Sequence, residues 1–237
     1  MKRILLSIMT IALVAVLGVG ATRALFTDVE ISEDNTFEAG VLDLEVDFDG
    51  YYNKEVDGQP NAGHWVMTSI NDGQKFFDPE FLSDLKPGDY GEGTISLHVD
   101  NDAWLRAVIS EVHNDENACT EPEAEVDASC DNPGPGQGDL AQYLEFMTWV
   151  DDGDNIYEPE GETPERLLFD WSPASDVLGG IWWDLGMISS SEVHYLGVAW
   201  RVPEEVGNII QSDSLDADIT FEVEQYRHNE DGPSWND

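Results

Sequence analysis

Positive charge is scarce in this sequence. Ten Lys and Arg stand against 50 Asp and Glu in 237 residues, a formal net charge of −40. The few bases are scattered, so there is no stripe on which a nucleic acid could release its counterions, and a surface this acidic repels phosphate backbones. Nucleic acid is therefore excluded as a partner. Cysteine is rarer still, and two residues cannot hold together a disulfide-dense miniprotein. Catalytic spacings are missing too. The five histidines, His64, His98, His113, His194 and His228, lie far apart and none forms H-E-x-x-H; no G-x-S-x-G elbow and no P-loop occurs. With 50 carboxylates present, no single acidic pair stands out for glycoside hydrolysis. There is no N-x-S/T sequon. No apolar stretch as long as that of Ile4 to Gly20 follows residue 24.

What is present argues for a folded, exported chain. Hydrophobic residues reach 41% and aromatics 10%, with 8 Trp, enough to bury a core and too many for a disordered acidic tail. Met1 to Arg3 is a short basic start, Ile4 to Gly20 is apolar, and Thr22, Arg23 and Ala24 offer a small-residue cleavage site. This predicts a secretory signal peptide over 1–24, cut by signal peptidase between Ala24 and Leu25; a retained anchor is the alternative. Cleavage would remove Lys2, Arg3 and Arg23 but no acid. Like charge at this density opposes compaction unless salt screens it, over about 8 Å at physiological strength and about 3 Å at molar strength. A saline, halophilic setting is expected, with ordinary extracellular solubility as the blander reading.

Periodicity predicts strands. In Gly93 to Asp100, Ile95, Leu97 and Val99 share one face while Thr94, Ser96 and His98 share the other. Ala103 to Val112 follows across Asp100, Asn101 and Asp102, so the two runs read as a hairpin. Leu215 to Tyr226 alternates longest, with Leu215, Ala217, Ile219, Phe221 and Val223 inward and Asp216, Asp218, Thr220, Glu222 and Glu224 toward water, the pattern of an antiparallel sheet with one wet face. Val41 to Phe48, His64 to Ile70, Tyr143 to Val150 and Glu192 to Val202 are further strands. Helix is expected only over Asp139 to Tyr143 and Pro173 to Leu178. Seven or more strands with turns such as Lys86-Pro87-Gly88-Asp89 make an all-β, antiparallel β-sandwich over 25–237 the economical fold. Trp182 and Trp183 are expected in its core.

Two loops carry possible chemistry. Cys119 and Cys130, with ten residues between them, sit in the long acidic loop 113–139 and are expected to form a disulfide worth about 2–3 kcal/mol in the chain-entropy model. Free thiols are the alternative; metal binding by the pair is weaker, the nearest histidine being His113. After the Tyr143 to Val150 strand, Asp151-Asp152-Gly153-Asp154-Asn155-Ile156-Tyr157-Glu158, with Glu162 beyond, crowds oxygen ligands into one loop. Calcium wants six to eight oxygens. Asp151, Asn155, the Tyr157 carbonyl and Glu162 form one ligand set, and Asp152, Asp154 and Glu158 another. The match to an EF-hand loop is partial, since Gly153 stands where an oxygen ligand belongs. A solvated acidic turn is the competing reading.

The segment Ala24-Leu25-Phe26-Thr27-Asp28, then Asn35-Thr36-Phe37, Ala39-Gly40 and Leu42-Asp43-Leu44, resembles the start of the TasA/camelysin family of secreted proteins, whose precursors carry SipW-type signal peptides. Leu85-Lys86-Pro87-Gly88-Asp89 and, toward the end, Trp200, Pro203, Gly207-Asn208, Gln211-Ser212-Asp213 and Phe221-Glu222-Val223-Glu224-Gln225 are similar to archaeal forms of that family. The resemblance implies a jelly-roll-like subunit that polymerises head to tail into extracellular fibres, in biofilm matrix or as pili. In such fibres the mature N-terminus completes the sheet of the next subunit. Within a donor-like segment over 25–35, the donor strand would be Leu25 to Ile31, where Leu25, Thr27, Val29 and Ile31 alternate with Phe26, Asp28 and Glu30. Folding back onto its own domain is the alternative. The family also implies a competing class, a camelysin-like metallopeptidase, for which the scattered histidines give little support. A third reading is a cell-surface sandwich that does not polymerise.

Overall fold

The computed structural model describes residues 42–56, 59–67, 70, 74–77, 82–178 and 182–235. The expected signal peptide, its cleavage point at Ala24 and Leu25, and the donor segment Leu25, Phe26, Thr27, Val29 and Ile31 lie outside the described residues.

Among the described residues there are nine strands, most with alternating apolar residues: β1 (Leu44–Val56), β2 (Gln59–Met67), β3 (Tyr90–Val99), β4 (Ala103–Glu116), β5 (Glu145–Asp151), β6 (Arg166–Pro173), β7 (Trp182–Ile188), β8 (His194–Arg201) and β9 (Asp213–Gln225). Two single-turn helices, α1 (Leu140–Tyr143) and α2 (Ala174–Val177), fall where helix was expected. The strands make a six-stranded sheet, β2-β1-β3-β8-β5-β6, and a three-stranded sheet, β7-β4-β9. Every pairing is antiparallel. The fold is thus an all-β antiparallel sandwich. Its winding is nested: β3 pairs with β8, β4 with β7 and β5 with β6, so outer pairs along the chain enclose inner ones, as in a jelly roll.

The core lies between the sheets. Phe48 of β1, Ile95 and Leu97 of β3, Leu196 and Trp200 of β8, Leu105 of β4 and Ile188 of β7 are all buried there. Phe48 lies across Gly93, where a Cβ would meet its ring at 2.5 Å, so glycine in mid-strand is what admits the aromatic. Phe76 and Phe77 close one side with edge-on contacts to Phe48, at ring-centre distances of 5.7 and 5.8 Å. The Lys86–Asp89 turn is as expected from its sequence: the Asp89 N–H donates to the Lys86 carbonyl, and Gly88 takes φ 91°, the left-handed position that follows proline in a type II turn.

One expectation is corrected. β3 and β4 do not form a hairpin; they lie in different sheets, and the Asp100 to Asp102 connection is an arch across the core. Both strands turn apolar faces inward, Ile95, Leu97 and Val99 from one sheet and Ala103, Leu105 and Ala107 from the other. A short polar connection serves either arrangement, and burial of both faces selects the arch. Asp102 pins it, its carboxylate accepting the Ser190 N–H (2.9 Å) and hydroxyl (3.1 Å) while its carbonyl accepts the Tyr226 N–H.

Ala217 also departs from expectation. It is exposed, whereas Leu215, Ile219, Phe221 and Val223 of the same strand pack against the core. The β4–β9 register shifts between Ser110 and His113, opposite Ala217, and Glu111 there has φ 49°. A bulge of this kind breaks the two-residue alternation at one point. Trp183 packs half-buried against the core, and its ring lies 5.2 Å from that of Phe169.

The outer face of the larger sheet has its own small core. Trp149 of β5 is 1% exposed, lies over Gly197 of β8, and donates from its indole Nε1 to Asp151 Oδ1 at 3.0 Å. A Cβ at Gly197 would fall inside the indole. Gly197→Ala is expected to destabilise by about 1–3 kcal/mol and Trp149→Ala by about 3–5 kcal/mol, read as urea midpoints. In the Trp149→Ala background the Gly197→Ala cost should largely vanish, because the two changes share one contact.

Candidate functional site

The loop joining β4 to β5 is drawn together at its base by backbone. Glu116 N–H donates to the Gly134 carbonyl (3.1 Å) and Gly138 N–H to the Asn114 carbonyl (3.1 Å). Cys119 and Cys130 are disulfide-bonded, with Cα atoms 5.6 Å apart. Between them, Ala124 N–H reaches the Thr120 carbonyl and Asp127 N–H the Glu123 carbonyl, a helical turn that points Glu123 inward.

That turn completes a cluster of buried acids. Glu116, the last residue of β4, is 1% exposed and Glu123 is fully buried. Asp213, the first residue of β9, joins them, and one carboxylate oxygen from each of the three lies within 4.8 Å of the others. Each acid is half satisfied. Glu116 Oε1 accepts the Ala118 N–H (3.2 Å) and the Ser212 hydroxyl (3.3 Å). Glu123 Oε2 accepts the Thr120 N–H (2.9 Å) and lies 3.1 Å from the same hydroxyl, whose single proton is shared among Glu116, Glu123 and the Ala118 carbonyl. Asp213 Oδ2 accepts the Asp139 and Leu140 N–H groups, at 2.7 and 2.9 Å. The second oxygens, Glu116 Oε2, Glu123 Oε1 and Asp213 Oδ1, are buried with no hydrogen-bond partner.

Burial, with the charge of Glu116 beside it, pushes the Asp213 carboxyl up to about 7. Burial and the neighbouring Asp127 push Asp139 up to about 6. Asp127 itself is held low, chiefly by the Ser129 hydroxyl. Sequence reading missed this cluster because Asp213 is far along the chain from the other two; an acid-rich loop closed by a disulfide was the available signal.

The loop after β5 is built differently. Asp151 is buried, and its carboxylate is occupied by donors: Trp149 Nε1, then the Gly153 and Asn155 N–H groups at 3.0 and 3.1 Å. Asp154 accepts the Ile156 N–H (2.9 Å), and Asn155 Oδ1 accepts the Thr94 hydroxyl (2.8 Å), tying the loop to β3. Glu158 and Glu162 are exposed. Of the expected ligands, Asp151 and Asp152 fall in a close group of three, with Glu165. Glu165 is spent on the Asp152 and Glu158 N–H groups, at 2.9 and 2.8 Å. The bonds made by Asp151, Asp154 and Asn155 are those of a loop that folds over Trp149.

The histidines stand in separate places. His98 lies 3.4 Å from Asp47, and His113 lies 3.4 Å from Asp216. The His194 ring accepts the Ser189 N–H at 2.9 Å, and His228 is exposed. Over the outer face of the smaller sheet the C-terminal segment folds back: Trp104 donates to the Asn229 carbonyl (2.8 Å), and Arg106 pairs with Glu222 at 2.6 Å beneath the Trp235 ring. Among the described residues no helix is long and apolar enough to cross a membrane.

No protein-family model matches the chain, and no curated protein matches it.

The acid cluster makes stability depend on pH. In the folded chain Asp213 and Asp139 hold protons up to about 7 and about 6, against about 3.9 unfolded. The native state therefore binds more protons between those limits, and stability falls as pH rises through the window. Urea midpoints in buffer free of divalent cations should be lower at pH 8 than at pH 4.5, with the slope reduced in Asp213→Asn.

Proposed function

We propose that this chain is the structural subunit of an extracellular fibre or pilus, secreted and assembled head to tail by strand donation. The observation that carries the reading is the inequality of the two sheets. Three strands face six. Among the described residues β7 and β9 pair only with β4, so the smaller sheet ends on both sides in an edge able to accept a strand. The inward residues Leu215, Ile219, Phe221 and Val223 of β9 are half-buried rather than buried, so a further strand alongside would take more apolar surface out of water. Main-chain hydrogen bonds along the open edge would supply the affinity, and the side chains of Leu25, Thr27, Val29 and Ile31 the fit. A contact in which one subunit donates what the next accepts does not close on itself, so it generates filaments. Removal of residues 1–24 frees the donor end and is the licensing step. The resemblance to TasA/camelysin proteins supports this reading, and the nested sandwich is compatible with it.

The edge also carries its own restraint. Asp216 and Asp218 project from β9 into water, and charge on an edge strand opposes pairing. Deleting Leu25 to Ile31 from the mature chain is expected to leave a soluble monomer by electron microscopy and sedimentation; fibres in undiminished yield would overturn the reading. Because subunits of one sign repel, fibre yield from the intact mature chain should rise steeply with sodium chloride as the screening length shrinks from about 10 Å at 0.1 M to about 3 Å at 1 M. A yield indifferent to ionic strength would remove charge repulsion as the control.

A further inference from the structure

We propose that Glu116, Glu123 and Asp213 form a calcium site that fastens the disulfide loop to the start of β9. Three carboxylates within 4.8 Å of one another are expensive without a counter-charge, because burial and mutual repulsion both act against ionisation. None of the three pairs with Lys, Arg or His among the described residues. A proton on Asp213, shared with Glu116 through a carboxyl–carboxylate hydrogen bond, would relieve two of the acids and still leave the buried second oxygen of Glu123 without a donor. The three second oxygens, each buried and each lacking a partner, are what distinguish this cluster from a solvated acidic patch. Buried polar atoms are almost always satisfied, so three unsatisfied acceptors in one place call for a shared ligand that is positive.

The donor set selects the ion. All three ligands are oxygen, and the sulfurs of Cys119 and Cys130 are consumed by their disulfide, which removes the soft ligands that favour zinc. One oxygen from each acid lies within 4.8 Å of the others, close enough for a single cation to touch all three. Magnesium demands a near-ideal octahedron and gives up its waters reluctantly, whereas calcium accepts an irregular shell to which the three carboxylates would contribute and waters would supply the rest. The other oxygens of the three acids are fixed by backbone N–H groups and by Ser212, so the ligands are oriented before the ion arrives. The Ala118 carbonyl, which accepts the Ser212 hydroxyl, lies beside the same group.

The proposal stands apart from the fibre reading and is tested on unassembled protein. The full chain is stripped with EDTA, desalted, and titrated with calcium chloride by calorimetry and by thermal unfolding. One tight site per chain is expected, with Tm raised by roughly 5–10 °C at a hundredfold excess over Kd, and a smaller rise with magnesium chloride. Glu123→Gln should raise Tm in EDTA, since it removes a buried like charge, while weakening calcium binding at least tenfold. Asp213→Asn serves the same purpose if that variant does not fold. Asp154→Asn, in the loop after β5, should leave calcium binding intact. The absence of calcium binding by the native chain would overturn the site, as would an equal response to magnesium or binding lost in Asp154→Asn but kept in Glu123→Gln.

Discussion

Every carboxylate in this chain must find either water or a donor, because five acids stand for each base. The fold is shaped around that constraint. Strand faces that carry Asp and Glu look outward, and the acids that turn inward are met by backbone N–H groups: Asp89 by Lys86, Asp151 by Gly153 and Asn155, Asp127 by Ser129. Such bonds need no basic residue. A turn whose amides point at a carboxylate does the work that a salt bridge would do elsewhere, and it suits a sequence with few cations. Where backbone donors run out, at the meeting of Glu116, Glu123 and Asp213, unsatisfied oxygens accumulate.

The sandwich was legible in the sequence because its main strands alternate. Ile95, Leu97 and Val99 announced β3, and Leu215 to Val223 announced β9, since a half-buried strand writes its burial in every second residue. β6 and β7 were not legible. Arg166–Pro173 holds Asp170 between aromatics and Trp182–Ile188 holds Asp184 and Gly186, so neither shows a clean period. The arch between β3 and β4 escaped for another reason: which sheet a strand joins is decided by partners far along the chain, and Asp100 to Asp102 say only that the chain turns.

Sites divided along the same line. The disulfide could be read from two cysteines in one loop of a chain that begins like an exported protein, and the bond is there. The run from Asp151 to Glu158 drew attention by local density. Local density is a poor guide in so acidic a chain, because adjacent carboxylates can each be consumed by a neighbouring amide, as Asp151, Asp154 and Glu165 are. The more demanding cluster was invisible because its members come from the end of one strand, a turn inside the disulfide loop, and the beginning of the last strand. Spacing along a sequence records neighbours only within one element.

The nested winding has a kinetic meaning. β3 lies between β1 and β8, and its bonds to β8 join residues near position 95 to residues near position 196. Closing a loop of that length is slow, and chains dominated by such distant pairings fold on the scale of milliseconds to seconds. Until β8 arrives, β2, β1 and β3 are cut off from β5 and β6, because β8 alone pairs with both β3 and β5. The order of the strands thus lets pairs form along most of the chain but joins the larger sheet into one layer only once β8, in the last quarter, is free.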